Sequence, residues 1–404
     1  MIRPPTPAFP DPYLVDNRVY TDPRVFDLER ERIFLRVWNF VCHESELPNP
    51  GDYLTKTIAG QPILLCRNAA GELRAFYNTC RHRAAQVVLD AGGNAKSFTC
   101  LYHLWSYDLD GHLVGVPELE AYATSFCPGG LPKDDFGLVP VRTAAVHRLV
   151  FVCFDDDVPD LPAFLGPELV EHLRHPFGDP TLRMRVVWTR TLRANWKMQP
   201  ENSRDGYHAT LLHKRLRGVS PPRPFRLLAN GHAVQRLGLD YESGRKAGTL
   251  DGALADDPSL AGKFMAHPLP GLTLDEPSKI LTIFPDLLIA IRYSTLLLET
   301  QTPINPDETL VETREAFIDG EDAAIREIRR KHWELYWAED GGNLPEDWAA
   351  WEAQQAGARS RGVRYSLIAR GEDADGGLRG DDNRIRSFWA EWRRCTGCDS
   401  NAPP

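Results

Sequence analysis

The sequence predicts an α+β protein, in which a small all-β domain is inserted into a larger domain of helices and antiparallel sheet. Two observations support this fold class. Residues 37–155 contain short apolar runs separated by turn signals, the pattern of antiparallel hairpins. After residue 155, segments with apolar residues at helical spacing alternate with longer strand-like runs. We therefore assign residues 37–155 to the small domain, and residues 1–36 and 156–404 to the larger one.

Two hairpins are predicted in the small domain. The apolar runs Ile63–Cys66 and Leu73–Tyr77 flank a turn at Asn68–Gly71. A second pair of runs, Trp105–Leu109 and His112–Val116, flanks Asp110-Gly111. An Asp-Gly pair supplies the positive φ angles that a tight hairpin turn requires.

The larger domain is predicted to have long elements of both kinds. Apolar residues recur at helical spacing in Leu161–Leu173, Asp322–Trp337 and Arg384–Arg394, and strand-like runs cover Lys279–Glu299 and Leu310–Ile318. The Gly- and Asp-rich segment Gly371–Asp382 predicts a solvated loop before the last helix.

Composition limits the class of protein. The chain has 404 residues, a net charge of −9 and a pI near 5.8, which argues against nucleic acid or an anionic membrane as a partner. We find neither an export signal nor an apolar run of about 18 residues, so we expect a cytoplasmic protein. Eight cysteines without such a signal favour metal binding or burial over a disulfide framework.

The first motif joins two cysteines and two histidines. Cys80-x-His82 and Cys100-x-x-His103 are separated by seventeen residues, and each half offers one thiolate and one imidazole. This set matches a Rieske [2Fe–2S] cluster, in which two Cys hold one iron and two His hold the other. A structural zinc site is the alternative, but zinc sites usually pair C-x₂₋₄-C with H-x₃₋₅-H or with further cysteines. The spacing favours the cluster.

The second motif is a polar stretch that contains His208 and His213. With a distant carboxylate, the two histidines would form the 2-His-1-carboxylate triad of non-haem Fe(II) enzymes. Five residues turn an ideal helix by about 140°, so both can reach one metal only where the helix is distorted or ends. Two histidines on a partly buried helix are the alternative.

Over nearly its whole length the chain resembles the catalytic (alpha) subunit of Rieske non-haem iron ring-hydroxylating oxygenases. The resemblance rests on the segment from Glu201 to His208, on Leu-Leu-His213, and on Trp105 and Tyr107 after the second cluster loop. It implies a helix-grip-like catalytic domain and a mononuclear iron held by His208, His213 and a late carboxylate. Asp347, five residues before Glu352, fits the family pattern, and Glu346 and Asp340 are the alternatives.

The resemblance also implies how electrons travel. In that family a head-to-tail trimer brings the cluster of one subunit beside the iron of the next, so we expect a homotrimer, either alone or with a small beta subunit as α3β3. Asp205 occupies the bridging position, with His208 and the neighbouring subunit's His103 as its partners, and is the catalytic candidate. Since no G-x-G-x-x-G follows a strand, NAD and flavin belong to a separate reductase, with or without a ferredoxin.

Substrate residues are inferred from the branch that the chain most resembles, which acts on single-ring aromatic acids such as benzoate, salicylate, anthranilate and terephthalate. Asn202 belongs to the motif, and Arg292 in an apolar strand is a candidate partner for a carboxylate, unless it faces solvent on an edge strand. Glu299 lies where that branch is expected to offer a basic residue, and an acidic residue there argues against an acid substrate and favours an amine-bearing one. An oxidative N- or O-demethylase and a non-catalytic electron carrier are the alternative functions.

Overall fold

A computed structural model of the chain describes residues 12–125, 128–213, 225–236, 262–264, 266–273, 278–339, 343–371 and 381–398. The chain forms two compact units. The smaller is continuous, from Leu35 to Leu161, and the larger joins Met1–Phe34 to Pro162–Pro404. The smaller unit is built on antiparallel sheets and the larger on an antiparallel sheet with helices, which confirms the α+β class.

Nineteen strands are numbered along the chain in its described part. The smaller unit contains β2 (Asn39–His43), β3 (Asp52–Ile58), β4 (Gln61–Arg67), β5 (Leu73–Tyr77), β6 (Gly92–Asn94), β7 (Phe98–Thr99), β8 (Ser106–Tyr107), β9 (Leu113–Gly115), β10 (Pro140–Val146) and β11 (Leu149–Cys153). Seven of these form one sheet in the order β2-β11-β10-β5-β4-β3-β6, and β7-β8-β9 form a second.

Both predicted hairpins of the smaller unit are present. Strand β4 pairs with β5, and β8 pairs with β9 across Asp110-Gly111. Gly111 has a φ of 85°, and a Cβ added there would lie 2.5 Å from Cε1 of Phe76. Both the backbone angle and the close approach therefore require glycine at this turn.

The larger unit contains β1 (Leu14–Asp16), β12 (Leu182–Leu192), β13 (Phe225–Leu227), β14 (Ala233–Arg236), β15 (Ser278–Ile283), β16 (Leu287–Arg292), β17 (Thr295–Asn305), β18 (Glu308–Ile318) and β19 (Tyr365–Leu367). The order β12-β18-β17-β16-β15-β14-β13 forms its main sheet, and β1 pairs with β19. The run predicted as strand-like over Lys279–Glu299 is three strands, separated by Phe284-Pro285-Asp286 and Tyr293-Ser294. Pro285, Asp286 and Ser294 are turn-forming residues whose signal the prediction missed.

Eight helices are numbered in the same way: α1 (Pro23–Glu29), α2 (Leu161–Leu165), α3 (Pro167–Phe177), α4 (Met198–Arg204), α5 (His208–Leu211), α6 (Ala323–Trp337), α7 (Leu344–Ala358) and α8 (Asn383–Thr396). A π-helical turn, Arg30–Phe34, follows α1, and single 3₁₀ turns cover Asn17–Tyr20, Glu44–Glu46, Leu119–Tyr122, Lys133–Phe136 and Ala229–Gly231. None of the helices described here is long and apolar enough to cross a membrane. Most of the predicted loop Gly371–Asp382 lies outside the described residues.

The two faces of the main sheet in the larger unit contact different helices. On one face, Trp188 packs edge-on against Trp348 of α7, with ring centroids 5.1 Å apart, and Gln235 accepts a hydrogen bond from Arg384 of α8. On the opposite face, Lys279 donates to the carbonyl of His172 in α3. We call the face that contacts α7 and α8 the site face. Directly paired residues point the same way, so register assigns to it Trp188, Gln235, Leu288, Arg292, Leu297, Glu299, Gln301 and Thr313.

Candidate metal centres

The two loops that carry the Cys and His pairs have the same backbone geometry. In the first, Cys80 N donates to Ala85 O and Ala84 N donates to Cys80 O. In the second, Cys100 N donates to Trp105 O and Leu104 N donates to Cys100 O. The residue four positions after each Cys has a left-handed backbone conformation: φ is 56° at Ala84 and 55° at Leu104. Two matching turns therefore present one thiol and one imidazole each.

These loops bring the four predicted ligands together as two like pairs. The thiols of Cys80 and Cys100 are buried and contact each other. The rings of His82 and His103 lie 4.5 Å apart, and burial together with His103 lowers the pKa of His82, which favours a neutral imidazole. Nδ1 of His82 is buried and has no hydrogen-bond partner among the described atoms. The donor set therefore fits a [2Fe–2S] cluster with two sulfur and two nitrogen ligands.

Tyr107 is a neighbour of the cluster loops that sequence reasoning treated only as a family match. Its hydroxyl lies 3.4 Å from Cys80 Sγ and accepts a hydrogen bond from the backbone N–H of Arg81 at 3.0 Å. Since the N–H of Arg81 occupies an acceptor position, the phenolic proton is available to the sulfur. The only signal in the sequence was a tyrosine on the strand that follows the second loop. The seven cysteines in the described part are free of disulfides, and Cys127 lies outside it.

The second predicted site is a cluster of His208, His213 and Asp347. One possible ligand atom from each lies within 4.8 Å of the others. Oδ1 of Asp347 is 3.6 Å from Nε2 of His208 and 3.5 Å from Nε2 of His213. Three residues from two separate segments of the larger unit therefore converge, in the 2-His-1-carboxylate combination that suits Fe(II).

The end of a helix explains how two histidines five residues apart converge. Helix α4 ends at Arg204, and Asp205 has extended backbone with a ψ of 109°. The Asp205 carboxylate accepts from the backbone N–H of Tyr207 at 2.6 Å and of His208 at 3.3 Å, which starts α5. His208 is the first residue of this four-residue helix, and His213 follows its end.

Each histidine of the triad has a carboxylate at its other ring nitrogen. Nδ1 of His208 lies 3.3 Å from Asp205 Oδ2, and Nδ1 of His213 lies 3.1 Å from Glu346 Oε2. A carboxylate only accepts hydrogen bonds, so Nδ1 of His213 carries the proton and its Nε2 keeps its lone pair. Nδ1 of His208 lies within ion-pair distance of Asp205 but forms no hydrogen bond among the described atoms. Burial raises the pKa of Asp205, but the nearby His208 and the backbone N–H groups of Tyr207 and His208 outweigh burial, so this pKa lies below its usual value.

Asp347 gives a test of whether the triad fits a metal ion. Its carboxylate is buried, and its Oδ1 has no hydrogen-bond partner among the described residues although both Nε2 atoms face it. Burial raises the pKa of Asp347, while His213, His208 and a hydrogen bond with Asn202 lower it. An unpartnered buried oxygen between two imidazole lone pairs fits a cation bound to all three, which would satisfy every one of these atoms.

Two alternatives considered for the third ligand have different outcomes. Glu346 contacts Nδ1 of His213 and therefore lies on the far side of that ring from Asp347. Asp340 lies outside the described residues. The described partner of Asn202, which was predicted to bind substrate, is Asp347; its contact with substrate stays a prediction.

Arg292 lies on an interior strand, so the edge-strand alternative was wrong. Its strand, β16, is flanked by β15 and β17. The guanidinium lies over the ring of Tyr336 in α6, with Cζ 5.2 Å from the centroid. Its Nε is buried without a hydrogen-bond partner among the described groups. The guanidinium of Arg292 therefore lies on the site face with an N–H group that has no acceptor among the described residues.

Glu299 is completely buried in β17, on the same face. Gln301 donates to its Oε1 at 2.9 Å, and Thr313 donates to its Oε2 at 3.4 Å. Burial raises the pKa of Glu299 to about 8, the charge of Asp347 adds to the rise, and the hydrogen bonds of Thr313 and Gln301 oppose it. The negative charge of Asp347 therefore makes ionisation of Glu299 less favourable.

A buried polar network behind α4 was not predicted. Lys197 forms an ion pair with Glu29 at 2.6 Å, and both side chains are almost wholly inaccessible. Glu201 accepts hydrogen bonds from the Tyr20 hydroxyl at 2.5 Å and from Trp389 Nε1 at 2.7 Å. Burial raises the pKa of Glu201 to about 7. The network joins helices α1, α4 and α8, and its partners are too far apart in sequence to give a local signal.

Comparisons with known proteins agree with these two sites. Residues 37–131 match the Rieske [2Fe-2S] domain, and residues 179–394 match the ring hydroxylating alpha subunit (catalytic domain). The chain is 34% identical to the 2-aminobenzenesulfonate 2,3-dioxygenase alpha subunit of Alcaligenes sp, over 96% of this chain and 95% of that protein. It is 30% identical to the anthranilate 1,2-dioxygenase large subunit of Acinetobacter baylyi, over 89% and 80% of the two chains.

Solved structures share the fold. Naphthalene 1,2-dioxygenase from Rhodococcus sp. matches with a TM-score of 0.76 and 23% identity, over 96% of this chain and 95% of that one. A quaternary ammonium Rieske monooxygenase, CntA, matches with a TM-score of 0.74 and 22% identity, over 95% and 96%. At these identities the likeness concerns the fold alone.

Family membership excludes the zinc-stabilised module and the non-catalytic electron carrier. Its members are oxidoreductases that use a Rieske cluster and a mononuclear iron, work with reductase and ferredoxin partners, and form multimers. When bound, the iron supplies the centre that activates O₂, and the cluster supplies it with electrons. The chain belongs to the alpha subunits of the Rieske ring-hydroxylating oxygenases.

Proposed function

We propose that the chain is the terminal oxygenase component for a single-ring aromatic acid. The observation that carries the oxygenase function is the convergence of His208, His213 and Asp347 within 4.8 Å of one another. Support for the substrate comes from the relatives, whose names include 2-aminobenzenesulfonate, anthranilate and terephthalate. Each of these compounds is one benzene ring with at least one acid group.

The ligand roles follow from the two donor sets. Cys80 and Cys100 bind one iron of the cluster, and His82 and His103 bind the other. His208, His213 and Asp347 bind the mononuclear iron, with Asp205 and Glu346 fixing the orientation of the two imidazoles. A carboxylate behind each ligand histidine raises its basicity and keeps the ring from rotating.

Arg292 is the residue that we assign to the acid group of the substrate. Its guanidinium lies on the site face, and its buried Nε lacks a partner among the described residues. A planar guanidinium binds a carboxylate or sulfonate through paired hydrogen bonds. Contact with such an anion would satisfy the donors that the protein leaves unpaired.

We place Asp205 on the electron path between subunits. Its carboxylate is already 3.3 Å from Nδ1 of His208. In a head-to-tail trimer its other oxygen would accept a hydrogen bond from the cluster histidine, His103, of the neighbouring subunit. A homotrimer closes this path into a ring of three equivalent contacts, and α3β3 with a small beta subunit is compatible with it.

Substrate-dependent O₂ uptake tests the proposed function. The holoenzyme, supplied with NADH and a surrogate reductase and ferredoxin, is given benzoates, benzenesulfonates and terephthalate. We expect O₂ uptake coupled to a hydroxylated ring, identified by mass spectrometry. Formaldehyde release from N- or O-methylated analogues without ring hydroxylation would instead identify a demethylase, and an enzyme with both metals bound that oxidises none of these compounds would refute the proposal.

A further inference from the structure

Glu299 lies on the sheet face that carries α7, the helix of Asp347. It pairs with Thr313, which in turn pairs with Trp188, so all three side chains point to the site face. Trp188 contacts Trp348, the residue that follows Asp347 in α7. In this position the charge of Asp347 contributes to the raised pKa of Glu299.

The protein provides little compensation for this carboxyl group. Within the described residues, only two neutral donors contact it, the Gln301 amide and the Thr313 hydroxyl, and no basic residue forms an ion pair with it. A carboxylate has about four acceptor positions. A buried carboxyl group with unused acceptors is unfavourable unless another group supplies donors.

Arg292 shows what kind of molecule would supply them. Arg292 pairs with Thr295, which is four residues before Glu299 on β17. Measured along the strand direction, the backbones of Arg292 and Glu299 are therefore about 13 Å apart at 3.3 Å per residue. The site face thus offers a cation with unused donors at one position and an acid with unused acceptors at another. A ring with an acid group and an amino group complements both.

We propose that Glu299 binds the amino group of the substrate, so that the enzyme selects aromatic acids that also carry an amine. This inference rests on the proposed function and narrows its substrate class. The amine N–H groups donate to the free acceptor positions of Glu299, and Arg292 binds the acid group. Glu299 determines which substrates bind and is not itself a metal ligand.

Matched substrate pairs test this proposal on the holoenzyme. The pairs are 2- and 4-aminobenzoate against benzoate, and 2-aminobenzenesulfonate against benzenesulfonate, with salicylate as the hydroxyl analogue. We measure kcat/KM from product formation, and substrate affinity by calorimetry without O₂. Wild type should prefer the amine of each pair, and Glu299→Gln should reduce that preference roughly 3- to 10-fold, the range for a hydrogen bond between neutral groups.

Glu312→Gln is the matched control, because Glu312 pairs with Thr300 on the same two strands but faces away from the site face. It should keep the amine preference, and visible absorbance and iron content confirm that both variants are assembled. The proposal is overturned if Glu299→Gln keeps the preference, or if wild type oxidises benzoate or salicylate as well as the aminobenzoates. In each of those outcomes the enzyme still hydroxylates an aromatic ring. The proposed function itself would fail only if wild-type enzyme with both metal centres occupied oxidised no aromatic ring.

Discussion

The two metal centres are built in different ways. All four cluster ligands come from two short loops, Cys80–Ala85 and Cys100–Trp105, closed by the same pair of backbone hydrogen bonds. The mononuclear triad combines His208 and His213, at the broken end of a helix, with Asp347 in the first turn of α7. A locally built centre depends on loop geometry, whereas a centre assembled from distant segments depends on tertiary packing and on the groups that hold each ligand in place.

Removing the carboxylate of the triad should break one centre and leave the other. We expect Asp347→Ala to lose the mononuclear iron and to lower turnover by more than the roughly 100-fold that outer partners of a metal site contribute. Visible absorbance should show that the cluster is fully occupied, and metal analysis should find only the two iron atoms of the cluster. Glu352→Ala, on the same helix, is the control and should retain the mononuclear iron as well as the cluster. If Asp347→Ala also retained the mononuclear iron, the ligand assignment would be contradicted.

The bridging role of Asp205 separates metal binding from electron delivery. Asp205→Ala should leave both metals bound and lower steady-state turnover at least roughly 100-fold, because the path to His208 is interrupted. Rapid mixing of reduced enzyme with O₂ and substrate should show that cluster oxidation is the slowed step. Full activity in this variant would exclude the bridge, and Asp205→Asn tests whether a hydrogen-bonding side chain alone is sufficient.

Glu346 tests the support behind the triad. Glu346→Gln removes the charged acceptor at Nδ1 of His213, and we expect Fe(II) affinity to fall about 10- to 100-fold with no change at the cluster. Competition with a chelator measures the affinity, and added Fe(II) should restore activity. Glu339→Gln, which alters only an exposed ion pair with Arg190, is the control. Unchanged affinity in Glu346→Gln would show that the contact does not orient the ligand.

Tyr107 tests whether the locally built centre has an equivalent support. Tyr107→Phe removes the hydroxyl at Cys80 Sγ, and a lost hydrogen bond to sulfur lowers a cluster's potential. A differential effect of about 1 kcal/mol corresponds to roughly 40 mV for a one-electron couple. Redox titration measures it, with Tyr122→Phe as the control because that ring packs on Trp105. An unshifted potential in Tyr107→Phe would mean that the hydroxyl does not bond the sulfur.

The smallest effect concerns the network behind α4. The pKa of Glu201 is raised to about 7 in the folded protein. The folded state therefore binds the proton more tightly than the unfolded state, and the stability from Glu201 is complete below pH 4.5 and lost as pH rises through 7. Glu201→Gln should remove this dependence, a change on the order of 1–3 kcal/mol at most. Thermal unfolding between pH 5 and 8 measures it; parallel curves for both proteins would contradict the raised pKa.

Sequence reasoning succeeded where the chemistry is local. The cluster loops could be predicted because spacing within each loop reflects its turn geometry, as the matched hydrogen bonds at Cys80 and Cys100 show. The hairpin at Asp110-Gly111 was predictable because only glycine tolerates its backbone angle and close contact. Asp347, by contrast, was selected through family resemblance, since no local pattern relates it to histidines more than 130 residues earlier.

Other features depend on tertiary structure that the sequence did not display. Whether Arg292 lies on an edge or an interior strand depends on strand order, which strand-like runs alone do not specify. The contacts of Tyr20 and Trp389 with Glu201 span more than 180 residues each. The two turns inside Lys279–Glu299 were missed although Pro285-Asp286 and Ser294 mark them, because the apolar runs on either side of each turn are nearly continuous.

Alternation along the main sheet has a consequence for how this enzyme can diversify. The ligands of the mononuclear iron lie at or near helix ends. Leu288, Arg292, Leu297 and Glu299 instead reach the site face from strands whose backbone hydrogen bonds do not depend on side-chain identity. Substitutions at these alternate positions can therefore change which molecules are accepted without altering iron binding. Variation in nature and directed evolution of substrate range should accumulate at every second residue of β16 and β17.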